Sequence, residues 1–197
     1  MDWKDTVLYI KRDFYRNLGE YSFGLVLKNF FSKATTVNLL LHYRICHFYV
    51  RKEHRNVFES VLYYMFLARY KRLQIYCGIE LSQLTEIGYG LRLPHRGSIV
   101  IHPGVKIGNN CEIMSCVTIG NNIFKSRDDV ATIGDNVLIC TGVKIIGDVE
   151  IGSGAVIGAN SLVNRSVQPG EMVAGIPAKT IRSNDDDKYL INTDYPF

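Results

Sequence analysis

From residue 79 onward the apolar positions keep a six-residue period. Ile133, Ile139, Ile145, Ile151, Ile157 and Val163 stand six apart, as do Ile101, Ile107, Ile113 and Ile119, and Leu81, Ile87, Leu93 and Ile99. Four places after each marker the residue is mostly small or β-branched, as at Val105, Cys111, Val117, Val137, Val143, Val149, Ala155 and Ser161. An α-helix turns once every 3.6 residues, so a six-residue apolar repeat drifts around it instead of holding one face. A hexapeptide parallel β-helix holds the repeat, because each hexad supplies one short strand and one corner. Three hexads close one triangular coil, so residues 79 to about 167 predict about five coils.

The period slips twice. Ile99 to Ile107 spans eight residues, which places two inserted residues around His102–Pro103. Ile119 to Ile133 spans fourteen, and the intervening NNIFKSRDDVA (Asn121–Ala131) is polar, charged and off-pattern, which predicts a loop leaving a corner. Loops on a regular scaffold are where specific chemistry is placed. Ahead of the repeat the pattern differs. Phe23, Leu25, Leu27, Phe30 and Phe31, and again Val57, Val61, Leu62, Met65 and Phe66, recur at helical spacing, with no Pro and few Gly. Three or four helices are predicted, broken near Asn17–Gly19 and Ser32–Thr36. The fold class is therefore α+β: an N-terminal α-helical domain over residues 1–77, a parallel β-helix of hexapeptide repeats over 78–167, and a C-terminal segment and tail over 168–197. The helical domain and the segment Ser166–Arg182 are expected to cover the two open ends of the stack. The acidic tail SNDDDKYLINTDYPF is expected to be loosely ordered. The pattern itself does not set the handedness of the coil; parallel crossovers are normally right-handed.

Composition adds little to this and excludes several classes. At 47% hydrophobic and 21% charged, the chain reads as a soluble globular protein. There is no uncharged apolar run of about 18 residues and no apolar signal region near the N-terminus, so neither a membrane span nor secretion is expected. The five cysteines show no metal-ligand spacing; three sit inside the repeat, where Cys serves as a small hydrophobe, and the setting points to a reducing cytoplasm. Residues 1–80 hold 13 Lys/Arg against 7 Asp/Glu, a net of +6, and residues 81–197 hold 10 against 12, a net of −2. This is too weak for nucleic acid, and no nucleic-acid motif is present. The basic helices read first as a solvated face and second as a weak peripheral contact with an anionic membrane.

The runs IGYGLRLPHRGSIVIHPGVKIGNNCEI, TIGDNVLICTGVKIIGDVEIGSGAVIGANSLV and VAGIPAKTIR resemble the hexapeptide-repeat acyltransferases. Within that family they resemble the serine acetyltransferase branch, including its relatives in bacterial polysaccharide gene clusters. The likeness spans about residues 78–182, and the preceding helical segment also fits that branch. The G-L-x-x-P-H segment ending at His95 and the V-x-G-x-P-A-K segment ending at Lys179 tie it to acyl transfer. The resemblance implies a left-handed coil, a homotrimer that can pair into a dimer of trimers, acetyl-CoA as donor, and an active site between neighbouring protomers.

Moving an acetyl group from a thioester to a hydroxyl needs a base for the hydroxyl proton, and His titrates in the useful range. His42, His47 and His54 lie in the helical part without a motif; His95 and His102 lie in the repeat. His95 occupies the position of the family's catalytic His. The carboxylate that the family places fifteen residues upstream is here Glu80, where the close serine enzymes have Asp. Fifteen is three short of an 18-residue coil, so the two can meet across adjacent coils. A carboxylate on the second ring nitrogen would fix the tautomer and stabilise the imidazolium. The plain alternative, an exposed corner His and a solvated Glu, is outweighed by the motif. His102, before Pro103–Gly104, reads first as a turn residue and second as a wall of the acceptor pocket.

Two departures bear on the acceptor. The serine enzymes carry Asp directly before the catalytic His, where this chain has Pro94, and an Arg-His pair in the loop, where it has Asp129 and Val130. An amino-acid carboxylate calls for an Arg partner; Arg92, Arg96 and Arg127 are the nearby candidates. For the donor, Gly142, Gly158 and Ala159 are small enough to admit a pantetheine arm, and Lys179 is placed for a phosphate, although tight corners alone explain the glycines. No metal is expected: one class of the family binds zinc through three His, and this repeat has two. The sequence thus predicts a cytoplasmic, acetyl-CoA-dependent O-acetyltransferase acting by direct transfer on a sugar hydroxyl in surface or capsular polysaccharide synthesis. Serine O-acetyltransferase of cysteine biosynthesis is the alternative, against which the ending Tyr195–Pro196–Phe197 counts, since cysteine-pathway members usually end in Ile. A non-catalytic β-helix scaffold is the alternative of another class, against which His95, Glu80 and Lys179 count together.

Overall fold

The computed structural model describes residues 2–31, 35–184 and 189–197. Four helices come first: α1 (Trp3–Leu18), α2 (Phe23–Phe31), α3 (Thr36–Arg51) and α4 (Val57–Cys77). Their ends carry capping chemistry. Asp2 and Asp5 form a capping box at α1, Thr35 caps α3, and Asn56 with Glu59 forms a second box at α4. Gly19 and Gly78 close α1 and α4 in the left-handed conformation. The expected break at Asn17–Gly19 matches the end of α1. Residues 32–34 of the second break lie outside the described residues. A third break, at 52–56, separates α3 from α4.

The repeat then winds three flat faces. Face A stacks β1 (Ile79–Leu81), β3 (Ile99–Ile101), β6 (Thr118–Gly120), β9 (Lys144–Ile146) and β12 (Leu162–Val163). Face B stacks β2 (Glu86–Ile87), β4 (Lys106–Ile107), β7 (Thr132–Ile133) and β10 (Glu150–Ile151). Face C stacks β5 (Glu112–Ile113), β8 (Leu138–Ile139), β11 (Val156–Ile157) and β13 (Glu171–Gly175), with the antiparallel β14 (Ala178–Ser183) completing a hairpin on top. The hexad markers fall in register, Ile107 on Ile133 and Ile139 on Ile157, and fill the core of the prism. Each Ile taken fully out of water contributes about 1.5–3 kcal/mol.

The first slip in the period lies elsewhere than expected. Leu81 pairs with Ile101, and Ile101 with Ile119, so the two extra residues fall between Leu93 and Ile101, in the corner Pro94–Ser98. The turn at His102–Pro103 is regular: Val105 N–H closes it onto His102 O at 3.1 Å. The reason is that β1 and β3 each bury two inward side chains two residues apart, Ile79 with Leu81 and Ile99 with Ile101, so either one satisfies the pattern. Cysteine placement also differs from expectation. Cys111 is buried within the coil, but Cys116 is exposed at a corner and Cys140 half-buried.

The first coil has no coil beneath it, and the helical domain supplies the missing partners. Arg44 is fully buried; its Nε donates to Asp13 Oδ2 at 2.7 Å, Nη1 to Ile87 O at 2.7 Å and Nη2 to Gly88 O at 2.6 Å. Asp13 Oδ1 accepts the Gly90 and Leu91 N–H groups at 2.8 and 3.1 Å. Tyr43 donates to Thr85 O, Tyr70 to Leu81 O, and Asn17 bridges Leu91 O and Leu93 N–H. Burial works against the Arg44 charge, but Asp13 more than offsets it and keeps the guanidinium protonated.

The tail is better ordered than its composition suggests. Beyond residues 185–188, which lie outside the described set, Leu190 is buried and Ile191 O accepts from Arg16. Tyr195 donates to Asn110 Oδ1 at 2.6 Å and packs with Tyr15, Tyr89 and Phe197, under the Arg12 guanidinium. Gly90 is required there: its φ is +73°, and a Cβ would collide with the Tyr195 hydroxyl.

Two predictions follow from the cap. Asp13→Ala strands a buried guanidinium and two N–H groups, and is expected to cost about 3–5 kcal/mol in denaturant unfolding; a loss below about 1 kcal/mol would mean apolar packing alone holds the helices to the coil. The second concerns His42, which is buried, stacks on Phe30 and bonds Asn38 O through Nδ1 at 2.9 Å, with Nε2 unpartnered. Burial lowers its pKa from 6.5 to about 4. The unfolded chain therefore binds the extra proton first, so stability is complete above about pH 6.5 and falls as pH drops toward about 4. His42→Phe is expected to flatten that slope in thermal melts taken across the window.

Candidate active site

The prism has three edges, and each has a different fate. The edge between faces B and C carries the turns at Gly90, Asn110, Asn136 and Gly154, all at positive φ. It is closed by the chain itself: α1 grips its foot through Asp13, and the tail meets Gly154 through Tyr189 and Asn110 through Tyr195. The edge between faces A and B carries the 82–85 turn, the His102 turn and the 121–131 loop. The edge between faces C and A carries the Pro94–Ser98 corner, then Met114–Cys116, Cys140–Gly142 and Gly158–Asn160, with the hairpin above.

His95 sits exposed at the foot of this last edge, in the corner enlarged by the two extra residues. That corner rests on the C-terminal end of α4: Gly97 N–H donates to Cys77 O at 2.8 Å and Ile99 N–H to Gly78 O at 3.1 Å. Glu80 projects outward from β1 at the Val100 level of face A. Among the described residues no hydrogen bond joins Glu80 to His95; both are exposed. Glu80 lines a groove of ≈360 Å³ with Lys71, Ile75, Ile79, Ile99 and Val100, and His95 stands outside it.

The donor candidates fall on the same edge as His95. Cys116 N–H bonds Gly97 O, Gly142 N–H bonds Ser115 O and Asn160 N–H bonds Thr141 O, so His95, Gly142, Gly158 and Ala159 belong to one vertical stack of corners. Three steps of about 4.8 Å put the 158–159 corner about 14 Å above the His95 corner. Lys179 lies two layers higher: β13 stacks on β11, and β14, which carries Lys179 opposite Ala174, stacks on β13. The glycines themselves are dictated by the coil: a Cβ on Gly142 would strike Asn160 Oδ1, and one on Gly158 would lie 2.8 Å from Ala174 Cβ. They permit close approach along the edge without being evidence for it.

The acceptor candidates divide. Arg92 is engaged within the chain, with Nη1 2.5 Å from Glu112 Oε1 on face C beside Arg16. Arg96 is exposed at the His95 corner, near Cys77. Arg127 is exposed in the loop, where its carbonyl accepts from Asn121 Nδ2 at 2.9 Å. His102 is a turn residue whose Nδ1 accepts from Gly104 N–H at 3.1 Å. Arg127 and His102 therefore stand on the A–B edge, across face A from His95. Two features escaped sequence reasoning. Lys144 Nζ donates to Cys116 O at 2.6 Å, placing a cation beside the donor edge. The groove next to Glu80 is half built by α4, and helical periodicity gives no hint that α4's last turn adjoins the first corner. Among the described residues no three metal-ligating side chains converge, and no helix is long and apolar enough to cross a membrane.

The comparisons with known proteins agree with this geometry. The family model described as bacterial transferase hexapeptide (six repeats) matches residues 131–165. Serine acetyltransferase of Escherichia coli strain K12 is 34% identical over 119 residues, 60% of this chain and 44% of that protein. The Buchnera aphidicola (subsp. Acyrthosiphon pisum) serine acetyltransferase is 39% identical over 114 residues, 56% of this chain and 41% of its own. The chain thus spans less than half the length of these curated relatives. Among solved structures, Neisseria gonorrhoeae serine acetyltransferase aligns over 95% of this chain and 69% of its own, at TM-score 0.70 and 28% identity. The Vibrio cholerae enzyme aligns over 97% and 71%, at TM-score 0.74 and 24% identity, a likeness of fold. The in-register six-residue coil and these likenesses make the fold a left-handed parallel β-helix, and the chain is similar to hexapeptide-repeat transferases, serine acetyltransferases among them.

Proposed function

We propose that this chain is an acetyl-CoA-dependent O-acetyltransferase working by direct transfer. One observation carries the reading: the C–A edge stacks the His95 corner and the small-residue corners in line, with Lys179 in the hairpin above them. A donor laid along that edge has its nucleotide phosphates near Lys179 and its thioester near His95. His95 takes the proton of the acceptor hydroxyl as its oxygen attacks the thioester carbonyl. The tetrahedral intermediate collapses, the C–S bond breaks, and the imidazolium returns its proton to the departing thiolate of coenzyme A. Glu80 acts through His95 by orienting the ring and stabilising its charged form, once a bound acceptor and a neighbouring copy of the chain close the site. A solved serine acetyltransferase is complexed with CoA, which supports the donor assignment.

For the acceptor, the relatives favour L-serine over the sugar hydroxyl expected from sequence: the similar proteins are serine acetyltransferases, and one solved structure is complexed with serine. The sugar reading keeps a specific observation in its favour. Pro94 and the Asp129–Val130 pair replace the groups matched to an amino acid, and Arg92 is taken by Glu112. A homotrimer, expected from the resemblance, would bring the A–B edge of one copy toward the C–A edge of the next.

The test is thiol release from acetyl-CoA by purified protein, with L-serine in one arm and free sugars, nucleotide sugars and capsular polysaccharides in the other. His95→Ala is expected to lower kcat by about 10²–10⁴ in whichever arm is active. Glu80→Gln is expected to lower kcat less while leaving the KM for acetyl-CoA unchanged. Turnover with serine alone sinks the sugar reading, turnover with a saccharide alone sinks the serine reading, and full activity in His95→Ala sinks the mechanism.

A further inference from the structure

α4 is apolar on two opposite faces. Tyr63, Tyr70, Leu73 and Cys77 turn inward and are buried in the domain. On the other side Phe58, Val61, Tyr64, Met65, Ile75 and Tyr76 are each more than half exposed. Positions 58, 61, 65, 68, 72 and 75 advance in steps of three and four, so they line one stripe along a helix of 21 residues, about 30 Å long. A helix that is apolar all round is ordinarily buried all round. Here the outward stripe stands in water, and a contiguous run of large apolar side chains, unlike a single one, marks an interaction surface.

The charges within that stripe have one sign. Lys71 and Arg72 are exposed in it. The one carboxylate of α4, Glu59, is engaged at the first turn, where it accepts the Asn56 N–H and pairs with Lys52. Glu80 shares a groove with Lys71 at the last turn, and the local sum stays positive. α2 carries a shorter version of the pattern: Phe23, Leu27 and Phe31, four apart, are exposed with Lys28 among them. The end of α2 adjoins α4, since Arg69 Nη2 donates to Phe30 O at 2.6 Å. Residues 1–80 together hold 13 Lys/Arg against 7 Asp/Glu, a net of +6.

We propose that the outward face of α4 seats this chain on an anionic lipid surface. The helix lies along the headgroup layer, with its apolar and aromatic side chains below and Lys71 and Arg72 at the level of the phosphates. Two observations select lipid over a second copy for this face. A second copy brings the same +6 and hence like charge, whereas a bilayer with anionic headgroups brings the opposite sign. Tyr64 and Tyr76 pair an apolar ring with a polar tip, which suits a boundary that is apolar on one side and wet on the other. α4 lies on the bilayer and does not cross it, because among the described residues no helix is long and apolar enough to span one. The docking stands independently of catalysis.

The test is co-sedimentation of the full chain with vesicles of phosphatidylcholine alone and of phosphatidylcholine mixed with phosphatidylglycerol. Wild-type protein is expected to bind the mixed vesicles at least about tenfold better than the neutral ones, and to lose most of that difference at high salt. Phe58→Ser with Met65→Ser, and separately Lys71→Glu with Arg72→Glu, are each expected to cut binding to mixed vesicles at least about tenfold, with thermal melts close to wild type because all four side chains are exposed. Where either pair fails to fold, an environment-sensitive fluorophore at Met65→Cys in a Cys116→Ser background decides instead; its emission is expected to move to shorter wavelength on mixed vesicles, and an unmoved spectrum overturns the proposal. Wild-type protein that binds neither vesicle, or binding undiminished in Phe58→Ser with Met65→Ser, overturns it as well. So does a wild-type oligomer that this same pair reduces to the 22.4 kDa of one chain, for the face is then filled by a second copy.

Discussion

A parallel coil has an open end, and the polar groups of its first turn need partners. Asp13 and Arg44 meet that need at the centre of the cap. The carboxylate takes two N–H groups of the first coil and the guanidinium takes two of its carbonyls, and each neutralises the other. Remove either and the other becomes a buried, uncompensated charge. Around this pair, Tyr43, Tyr70 and Asn17 repeat the arrangement with neutral groups. The helical domain is thus a polar template for the first coil as much as an apolar lid, which also protects an edge otherwise open to pairing with other strands.

The same cap positions the chemistry. α4 runs directly into β1, so its C-terminal carbonyl at Cys77 receives the Gly97 N–H of the His95 corner. α1 grips the B–C edge at the opposite side of the coil, and the tail extends that coverage upward through Asn110 to Gly154. The C–A edge carries the corners stacked above His95. The edge that α1 and the tail grip is filled by the chain itself, and the C–A edge has at its foot His95, in the corner that departs from the six-residue period.

The core of this fold was legible because hexads repeat a local rule, one inward Ile or Val per strand, and local rules survive in sequence. The position of the first slip was not, because Ile99 and Ile101 are both inward and either one keeps count. The tail was read as loose from its Asp run, but Tyr195 and Phe197, present in the same stretch, form an aromatic cluster with Tyr15 that no pairwise spacing announces. The Asp13–Arg44 pair was invisible for a similar reason: thirty-one residues separate partners that meet only once α1 and α3 have packed. At the site, the motif singled out His95, which the fold places, exposed, in the corner at the foot of the C–A edge. It could not reveal that Arg92 faces Glu112, since that depends on which face of the prism residue 92 occupies.

The likeness to serine acetyltransferases and the departures from them lie in different parts of the molecule. The hexapeptide family model matches residues 131–165, within the coil, where inward positions are constrained by packing and each corner by the turn above it. The period breaks at the two-residue enlargement around His95 and at the loop after β6. Pro94 fixes its own backbone, removes an N–H and biases Leu93 toward extended geometry, so it shapes the corner without offering the charge an ammonium group would seek. Asp129 reverses the sign of a position matched to Arg. The shared scaffold therefore says more about the coil than about these two interruptions, where this chain has its own corner and loop.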